Sequence, residues 1–191
     1  SQSFADFRLD YFSDAPIPGV GKSARSIMER NLKACRDYAR SFSPQSGHLL
    51  FNGGTGLGKS HLALAIGKAV GDMGCSVCYE GAAGMLTKLE QAKFTPSEDS
   101  RRAVADLESC DLLIVDDLGT ELPGQFTTAA LYSLVNDRIL SGKPTIISTN
   151  LPVEAIQDIY SERISSRIIS YYDIFLIFGE DIRIQIARSR F

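Results

Sequence analysis

The sequence predicts an α/β fold in which a parallel β-sheet lies between helices. Short apolar runs with strand character alternate with helical patterns along most of the 191 residues, and this alternation is typical of a parallel sheet flanked by helices. Residues 111–117 (DLLIVDD) are apolar between their acidic ends, which indicates a strand buried on both faces. A chain of this length suits one domain with a core of its own.

The elements are assigned from periodicity: helices where apolar residues recur every three or four positions, and strands where short apolar runs end at Gly, Pro or acidic residues. Residues 1–22 are expected to form an ordered but irregular lead-in. The elements predicted after it are a helix over 23–42, a strand over 48–52, a helix over 60–70, a strand over 76–79, two helices within 81–109 that are separated at 94–97, a strand over 111–117, a helix over 126–140, a strand over 145–149, helices over 153–160 and 162–170, and a strand over 174–178.

The composition is that of an ordinary globular protein. Apolar residues make up 44% of the chain and the net charge is −3, so any contact with nucleic acid would have to be local or shared among subunits. No apolar run is long enough to span a bilayer and no signal peptide is recognisable, which predicts a cytoplasmic protein without a membrane partner. The four cysteines are expected to be reduced; Cys75 and Cys78, in a C-x-x-C pattern, are interpreted as buried structural thiols rather than a zinc or redox pair.

The strongest motif is Gly-x4-Gly-Lys-Ser, which follows a predicted strand and opens a predicted helix. Glycines let successive N–H groups point at a phosphate, and the positive end of the helix adds to the same site. Lys59 would then reach the β- and γ-phosphates, and the Ser60 hydroxyl would ligate Mg²⁺. The motif predicts a nucleoside triphosphate site, with contacts from Gly53, Gly54, Thr55, Gly56, Leu57, Gly58, Lys59, Ser60 and His61.

The large lead-in side chains are expected to pack in the core or, alternatively, against the base of a nucleotide. These side chains are Phe7, Leu9, Tyr11 and Phe12.

Polar residues at the ends of the third and fourth predicted strands extend this site. Ligands bind at the carboxyl ends of parallel strands, so Asp116 is expected to hold Mg²⁺, directly or through water, opposite Ser60. Asp117 is the candidate that polarises the attacking water, with Glu121 as an alternative. Asn150 is expected to reach the γ-phosphate or the water. Solvation of a strand end explains the acids without chemistry, and a simple turn explains Asn150 in the same way.

Three of the arginines that follow the fourth strand are candidates for the site. Arg163 and Arg167 are four residues apart and share one face of a helix. In an oligomeric ATPase such a residue can neutralise the transferring phosphate in a neighbour's site, and Arg167 is the favoured candidate; solvated surface arginines are the alternative. Arg183 is expected to contact the phosphates bound by its own subunit, with a surface ion pair as the alternative.

Together these motifs resemble the AAA+ ATPases, and among them the DnaC/DnaI-type replicative helicase loaders and the related IstB transposition helpers. The resemblance covers about residues 47–184 and is carried, in the family's order, by residues 53–62 (GGTGLGKSHL), 112–119 (LLIVDDLG), 148–152 (STNLP), 162–167 (ERISSR) and 179–183 (GEDIR). It implies a three-layer αβα P-loop core with a five-stranded parallel sheet in 5-1-4-3-2 order. ATP or ADP and Mg²⁺ would bind between adjacent subunits.

The resemblance also implies roles for individual residues. They are, in chain order, Lys59 and Ser60 as the Walker A pair, Asp116 and Asp117 as the Walker B pair, Asn150 as the first sensor, Arg167 as the arginine finger and Arg183 as the second sensor. Most AAA+ proteins have Glu where this chain has Asp117, and the shorter side chain suits slow, switch-like turnover. The expected division is a lead-in and helix over 1–46 that pack on an ATPase core over 47–191.

The function implied by the resemblance is an ATP-hydrolysing helicase loader in DNA replication. Its partners would be a replicative ring helicase, single-stranded DNA and further copies of the same chain. Loaders usually carry a separate N-terminal helicase-binding domain, and nothing in this sequence resembles one. The segment 81–109 resembles an extra helical insertion of this clade, and DNA contacts are expected there from Lys88, Lys93, Phe94, Arg101 and Arg102, although a solvated charged face explains the same residues.

Three other functions fit parts of the pattern. A transposase helper of the IstB kind would use the same motor on duplex DNA. A small-molecule kinase also uses a phosphate loop, but the chain has no obvious arginine-rich lid, and Asn150 and Arg167 would be left unexplained. A non-catalytic switch would bind ATP and assemble without turnover.

Overall fold

The computed structural model describes residues 2–122 and 124–188, and these form a five-stranded sheet with helices on both faces. The elements, in chain order, are a 3-10 turn (Leu9–Tyr11), α1 (Ala24–Arg40), β1 (His48–Gly53), α2 (Lys59–Asp72), β2 (Val77–Gly81), α3 (Ala82–Phe94), α4 (Glu98–Ser109), β3 (Leu112–Leu118), α5 (Gln125–Leu140), β4 (Thr145–Thr149), α6 (Val153–Ile159), α7 (Glu162–Tyr171), β5 (Tyr172–Ile177) and α8 (Ile182–Arg188).

The strand order is β2-β3-β4-β1-β5, and every pairing is parallel. Read from the other edge this is 5-1-4-3-2, so the predicted order is confirmed. Because all strands run the same way, their carboxyl ends meet at one edge of the sheet. The register places Phe51 of β1 beside Ser148 of β4, and Gly81 of β2 beside Asp116 of β3. Polar residues from distant parts of the chain therefore lie together at that edge.

The sheet is buried on both faces, as the apolar third strand predicts. On β3, Leu112 and Ile114 pack towards α1 and α2, whereas Leu113 and Val115 pack towards the helices of the other face. All four are at most 1% exposed. Since each face of a strand is covered by helices, the strand can be apolar throughout without exposing a hydrophobic surface.

Local signals also account for the start of α4. The Ser97 hydroxyl accepts a hydrogen bond from the Ser100 backbone N–H at 3.1 Å, and the Ser97 N–H donates to the Ser100 hydroxyl at 2.8 Å. This reciprocal pair satisfies N–H groups that a helix start leaves without partners. The predicted break between the two helices is confirmed.

Two features at the C-terminal end differ from the prediction. Strand β5 begins at Tyr172 rather than at 174, because the Tyr172 side chain is buried in the core, whereas Ile174 and Leu176 are 38% and 46% exposed. Helix α8 was not predicted, because Ile182, Ile184 and Ile186 alternate with other residues, a spacing that is typical of a strand rather than a helix.

The cysteines are free thiols, but they are not all buried. Cys35 and Cys110 are buried, whereas Cys75 and Cys78 are only partly buried. The expectation of buried thiols is therefore wrong for the C-x-x-C pair, because β2 is an edge strand and solvent reaches that side of the sheet.

Within the described residues, the helices all fall short of the length and apolar character that a membrane span requires.

Candidate functional site

The loop between β1 and α2 requires glycine at two positions. Gly56 and Gly58 adopt left-handed backbone angles, with φ of 73° and 85°. There is also no room for a side chain, since a Cβ at Gly56 would overlap the Asp181 carboxylate and one at Gly58 would lie 2.9 Å from the Phe7 ring. Helix α2 begins directly after the loop, at Lys59, so its unpaired N–H groups lie at the same place. This is the backbone geometry of an anion site.

Lys59 places a positive charge on the floor of this loop. Its ammonium donates to the carbonyls of Gly53 and Gly54, at 2.8 and 2.7 Å, and the side chain is largely buried. Burial lowers the pKa of Lys59, and the carboxylates of Asp117 and Asp116 oppose this shift. A buried cation held only by neutral carbonyls is a strong partner for a phosphate.

The Asp116 carboxylate lies beside the loop and accepts hydrogen bonds from three hydroxyl groups. The Ser60 hydroxyl donates to Oδ1 at 3.0 Å, the Ser148 hydroxyl donates to the same oxygen, and the Tyr79 hydroxyl donates to Oδ2. The carboxylate is buried, with 7% of Asp116 exposed. The structure therefore brings Ser60 and Asp116 together, as the sequence suggested; Tyr79 and Ser148 were not foreseen as partners.

These groups fit a magnesium ion. A serine hydroxyl and a carboxylate are hard oxygen ligands of the kind that Mg²⁺ prefers, and Mg²⁺ commonly keeps several waters and phosphate oxygens beside one or two protein ligands. The described residues contain no group of three or more His, Cys, Asp or Glu side chains that could hold a metal ion. An ion held by Ser60 and Asp116 would therefore take its other ligands from a nucleotide and from water.

Asp117 has an unusual backbone. Its φ is 54°, the only left-handed value among the non-glycine residues that the structure describes. Its N–H donates to the Ser148 hydroxyl at 2.9 Å, which helps to hold this conformation, while its side chain is exposed and lines the cleft above the glycine loop. Strained residues of this kind cluster at functional sites. The geometry is compatible with a role on a water molecule, which stays a prediction.

Glu121, the alternative candidate, is already engaged. One carboxylate oxygen accepts from the Tyr160 hydroxyl, and the other accepts from the Gly119 N–H at 3.1 Å. Burial and then the bond to Glu121 raise the pKa of Tyr160, so the phenol remains a donor. Both oxygens of Glu121 thus hold the turn after β3 in place, and among the described residues it is Asp117 rather than Glu121 that lines the cleft.

Asn150 is exposed in the turn after β4 and does not line the cleft. Two other polar residues hold this end of the sheet. Ser148 contacts both strand-end acids, and Asn52 at the end of β1 donates to the Leu151 carbonyl at 2.5 Å. The sequence offered one signal for Ser148, a hydroxyl residue next to the end of a predicted buried strand.

Arg183 forms the ion pair that was its alternative interpretation, and its contact with phosphate stays a prediction. It forms a two-pronged ion pair with Asp181, with Nε–Oδ1 and Nη2–Oδ2 distances of 3.1 and 2.8 Å, and it lines the same cleft as the glycine loop. Helix α8 is also tied to the loop, because the Ile182 N–H donates to the Gly56 carbonyl at 3.1 Å. Arg183 is therefore placed within its own chain's cleft.

Arg163 and Arg167 lie on α7, outside that cleft. Arg163 is exposed, whereas Arg167 is half-buried with its guanidinium 5.8 Å from the centre of the Tyr171 ring. Neither can act on a phosphate at the glycine loop of the same chain from this position. A role across a subunit interface stays a prediction.

The lead-in side chains divide between core and cleft. Phe12 is fully buried, and three partly buried side chains, Phe7, Leu9 and Tyr11, pack against the same core cluster. Phe7 and Tyr11 also line the cleft, which has a volume of about 530 Å³. The cleft is lined by residues of the lead-in, the glycine loop, the start of α2, the end of β3 and α8: Gln2, Asp6, Phe7, Arg8, Tyr11, Thr55, Gly56, Leu57, Gly58, Lys59, Ser60, His61, Asp117, Ile182, Arg183 and Ile186.

The candidates for DNA contact lie on two consecutive helices: Lys88, Lys93 and Phe94 on α3, and Arg101 and Arg102 on α4. Phe94 is 62% exposed, and its ring meets Phe126 edge-on at 5.4 Å. The Lys93 ammonium lies over both rings, at 5.6 and 5.4 Å from their centres. Lys88 forms an ion pair with Glu80, which makes its charge less available for contact with DNA. Contact with DNA stays a prediction for all five.

The chain is similar in sequence to known ATP-binding proteins. The model of the family described as "IstB-like ATP binding protein" matches residues 22–188. Over 150 residues the chain is 26% identical to the replicative helicase loader DnaC of Escherichia coli K12. The match covers 78% of this chain and 61% of that relative. The chain therefore spans about three fifths of the length of this relative.

Solved structures share the fold. A crystal structure of the DnaC helicase loader gives a TM-score of 0.73 at 21% identity, covering 92% of this chain and 98% of that one. The replication initiator DnaA bound to AMPPCP and single-stranded DNA gives 0.72 at 19% identity, covering 99% of this chain and 54% of that one. At these identities the likeness is one of fold, and the predicted three-layer AAA+ P-loop fold is confirmed.

Proposed function

The chain belongs to the family of IstB-like ATP-binding proteins, and on that premise we propose that it is an AAA+ ATPase that loads a replicative ring helicase onto single-stranded DNA. The observation that carries the ATPase part is the meeting of Lys59, Ser60 and Asp116 at the carboxyl edge of the sheet, beside a loop that requires glycine. A buried cation, a metal-binding hydroxyl and a carboxylate in this arrangement suit a magnesium nucleotide.

ATP would be held through its phosphates. The loop N–H groups, the start of α2 and the Lys59 ammonium would bind them, while Phe7 and Tyr11 offer apolar surface in the same cleft for the base. Mg²⁺, held by Ser60 and Asp116, would neutralise phosphate charge. ADP would occupy the same cleft after hydrolysis.

Asp117 is our candidate for orienting the attacking water. Its carboxylate is exposed to the cleft, and its backbone is held by the Ser148 hydroxyl. Glu121 is a poorer candidate because both of its oxygens accept internal hydrogen bonds. An aspartate reaches less far than the usual glutamate, and we therefore propose slow, switch-like turnover. Asn150 would assist only after a change in its turn, since it is exposed away from the cleft.

In this proposal the two arginines act on nucleotides bound by different subunits. Arg183 lines its own chain's cleft and would contact bound phosphate on release from Asp181. Arg167 lies outside that cleft and would complete the site of a neighbouring copy, which requires a homo-oligomer.

The loader part of the proposal is supported by relatives. The curated relative that matches 78% of the chain is named a replicative helicase loader, and a protein of the same fold was solved with AMPPCP and single-stranded DNA. The exposed Phe94 ring beside Lys93 is the best-formed stacking surface among the DNA candidates. A loader of this kind works in the cytoplasm. A transposase helper of the IstB type, acting on duplex DNA, is the alternative.

The test measures the rate of ATP hydrolysis by the protein without DNA, with single-stranded DNA and with duplex DNA. We expect stimulation by single strands and no hydrolysis in Lys59→Ala. Stimulation by duplex DNA alone would favour the transposase helper. Transfer of phosphate to an acceptor other than water would favour a kinase, and nucleotide-dependent assembly without turnover would favour a switch; each of these would overturn the loader proposal.

The subunit assignment has its own test. Arg167→Ala should lower hydrolysis by about 10³-fold with ATP affinity nearly intact, which is the low end for an arginine finger. Mixing Arg167→Ala with Lys59→Ala should restore part of the activity, because an intact Lys59 site can then meet an intact Arg167. No recovery in a mixture that co-assembles would refute the assignment across subunits.

A further inference from the structure

Tyr79 makes a contact that the glycine-loop motif does not explain. It lies on β2, the strand at the edge of the sheet, and pairs in register with Ile114 of β3. Its hydroxyl nevertheless reaches the carboxylate of Asp116, two positions further along β3, and donates to Oδ2. An edge-strand side chain thus contacts the acid at the centre of the proposed magnesium site.

The Tyr79 hydroxyl and the Ser60 hydroxyl use different oxygens of the same carboxylate. Ser60 and Ser148 donate to Oδ1, whereas Tyr79 donates to Oδ2. These donors come from α2, β4 and β2, so three separate elements fix the plane of the carboxyl group. Tyr79 does not contact Oδ1, which is the oxygen on the Ser60 side.

The place of the Tyr79 ring is not explained by packing in the core. Tyr79 is 39% exposed, so its ring is not completely buried.

We propose that Tyr79 is a positioning residue of the magnesium site, which orients Asp116 so that Oδ1 faces Ser60. The inference rests on the proposed magnesium-nucleotide function. Groups that hydrogen-bond to metal ligands fix their orientation, and their removal typically lowers metal affinity by about 10- to 100-fold. Tyr79 holds one carboxylate oxygen of Asp116 by a single hydrogen bond, so the lower end of that range is expected.

The test uses Tyr79→Phe, which removes the hydroxyl and keeps the ring. A fluorescent ATP analogue is titrated into the protein in EDTA and at increasing Mg²⁺ concentration. We expect the half-saturating Mg²⁺ concentration to rise about 10-fold, with unchanged affinity in EDTA. The matched control is Tyr38→Phe, which also loses one hydroxyl hydrogen bond, to the Gly47 carbonyl at 2.8 Å, but on the loop before β1; its Mg²⁺ dependence should equal that of the wild type.

A second variant separates positioning from general damage. In an Asp116→Asn background, adding Tyr79→Phe should change the Mg²⁺ dependence no further, since the carboxylate it orients is gone. An unchanged Mg²⁺ dependence in Tyr79→Phe would overturn the inference, as would an equal loss of affinity in EDTA, or a further loss in the double variant. If the wild type itself shows no Mg²⁺-dependent binding, the proposed function fails instead.

Discussion

Two buried charged side chains lie at opposite ends of the sheet and are held in different ways. Asp116, at the carboxyl end of β3, accepts hydrogen bonds from three side-chain hydroxyl groups. Arg138, on α5, is 1% exposed and lies near the amino ends of β3 and β4. Its guanidinium donates mainly to backbone carbonyls, those of Leu107, Cys110 and Pro144 at 2.9, 3.2 and 2.7 Å.

The difference indicates which of the two groups can change partners. Backbone carbonyls are fixed by the helix end and the strand starts to which they belong, so Arg138 cannot exchange them without unfolding. None of the ion pairs found among the described residues involves Arg138. Hydroxyl groups rotate about one bond, so the partners of Asp116 can be exchanged for a ligand. The arginine therefore serves the fold, and the aspartate is available for function.

The largest effect is expected at the arginine. Arg138→Met should lower the free energy of unfolding by at least about 3 kcal/mol, because each of three buried carbonyls left unpaired costs about 1–3 kcal/mol. Urea denaturation measures it. Arg102→Met, which changes an exposed arginine, is the control and should stay within about 0.5 kcal/mol. A loss below about 1 kcal/mol at Arg138 would remove the contrast between the two ends.

Asp116→Asn is the matching change at the other end. We expect the free energy of unfolding to change by less than about 1 kcal/mol, because the amide keeps the shape and removes a buried charge. Mg²⁺-dependent nucleotide binding should weaken by about 100-fold or more, because the change replaces the charged ligand itself by a neutral amide, whereas Tyr79→Phe removes only a support of that ligand. Calorimetric titration with and without Mg²⁺ measures the second effect, and destabilisation as large as that of Arg138→Met would show that Asp116 is structural.

Asp117→Gly tests whether strain is stored at the site. Glycine adopts the φ of 54° without strain, but it loses more conformational entropy on folding than aspartate does. The net result expected is a gain of about 0.5–1 kcal/mol in the free energy of unfolding. Hydrolysis should fall by about 100-fold if the carboxylate acts on the water. Asp117→Asn is the matched variant, with the same loss of hydrolysis and no gain in stability. Unchanged hydrolysis in both variants would exclude Asp117.

The smallest effect concerns His48, which lies near Arg138. Burial and then the Arg138 charge lower the pKa of His48, whose Nδ1 accepts from the Thr145 N–H at 3.2 Å. Below about pH 6.5 the unfolded imidazole binds a proton that the folded one does not, so the free energy of unfolding falls as the pH falls through this range. The slope, measured by urea denaturation between pH 7 and 5, should be smaller in His48→Gln. An equal slope in the wild type and in His48→Gln would show that the acid sensitivity arises from another group.

The sequence predicted what depends on local pattern. The strand–loop–helix motif around Lys59 and the doubly apolar third strand predicted the α/β fold class and the place of the site, and both rest on spacing within a few residues. The strand order was implied by the resemblance to the AAA+ ATPases. Contacts between strands that are distant in sequence were not predictable: Tyr79 reaches Asp116 only through the register of β2 on β3. Arg138 was equally hidden, because a lone arginine in a helical pattern resembles a solvated residue.

The backbone strain at Asp117 and the helix α8 were also not predictable from the sequence. Nothing in the pair Asp116–Asp117 distinguishes the second residue as one with a positive φ, which follows from the bulge between Val115 and Leu118. Helix α8 places Arg183 at the cleft, but its alternating isoleucines lack the spacing of a helix.

The central claim is that the carboxyl edge of the sheet binds a magnesium nucleotide through Lys59. Calorimetric titration of ATP with Mg²⁺ into the wild type and into Lys59→Ala tests it most directly, with melting temperatures as the check on folding. We predict saturable binding to the wild type and an affinity at least about 100-fold lower in Lys59→Ala, which corresponds to about 2.7 kcal/mol for a charge-assisted contact to phosphate. No binding to the wild type, or equal binding to both folded proteins, would contradict the claim.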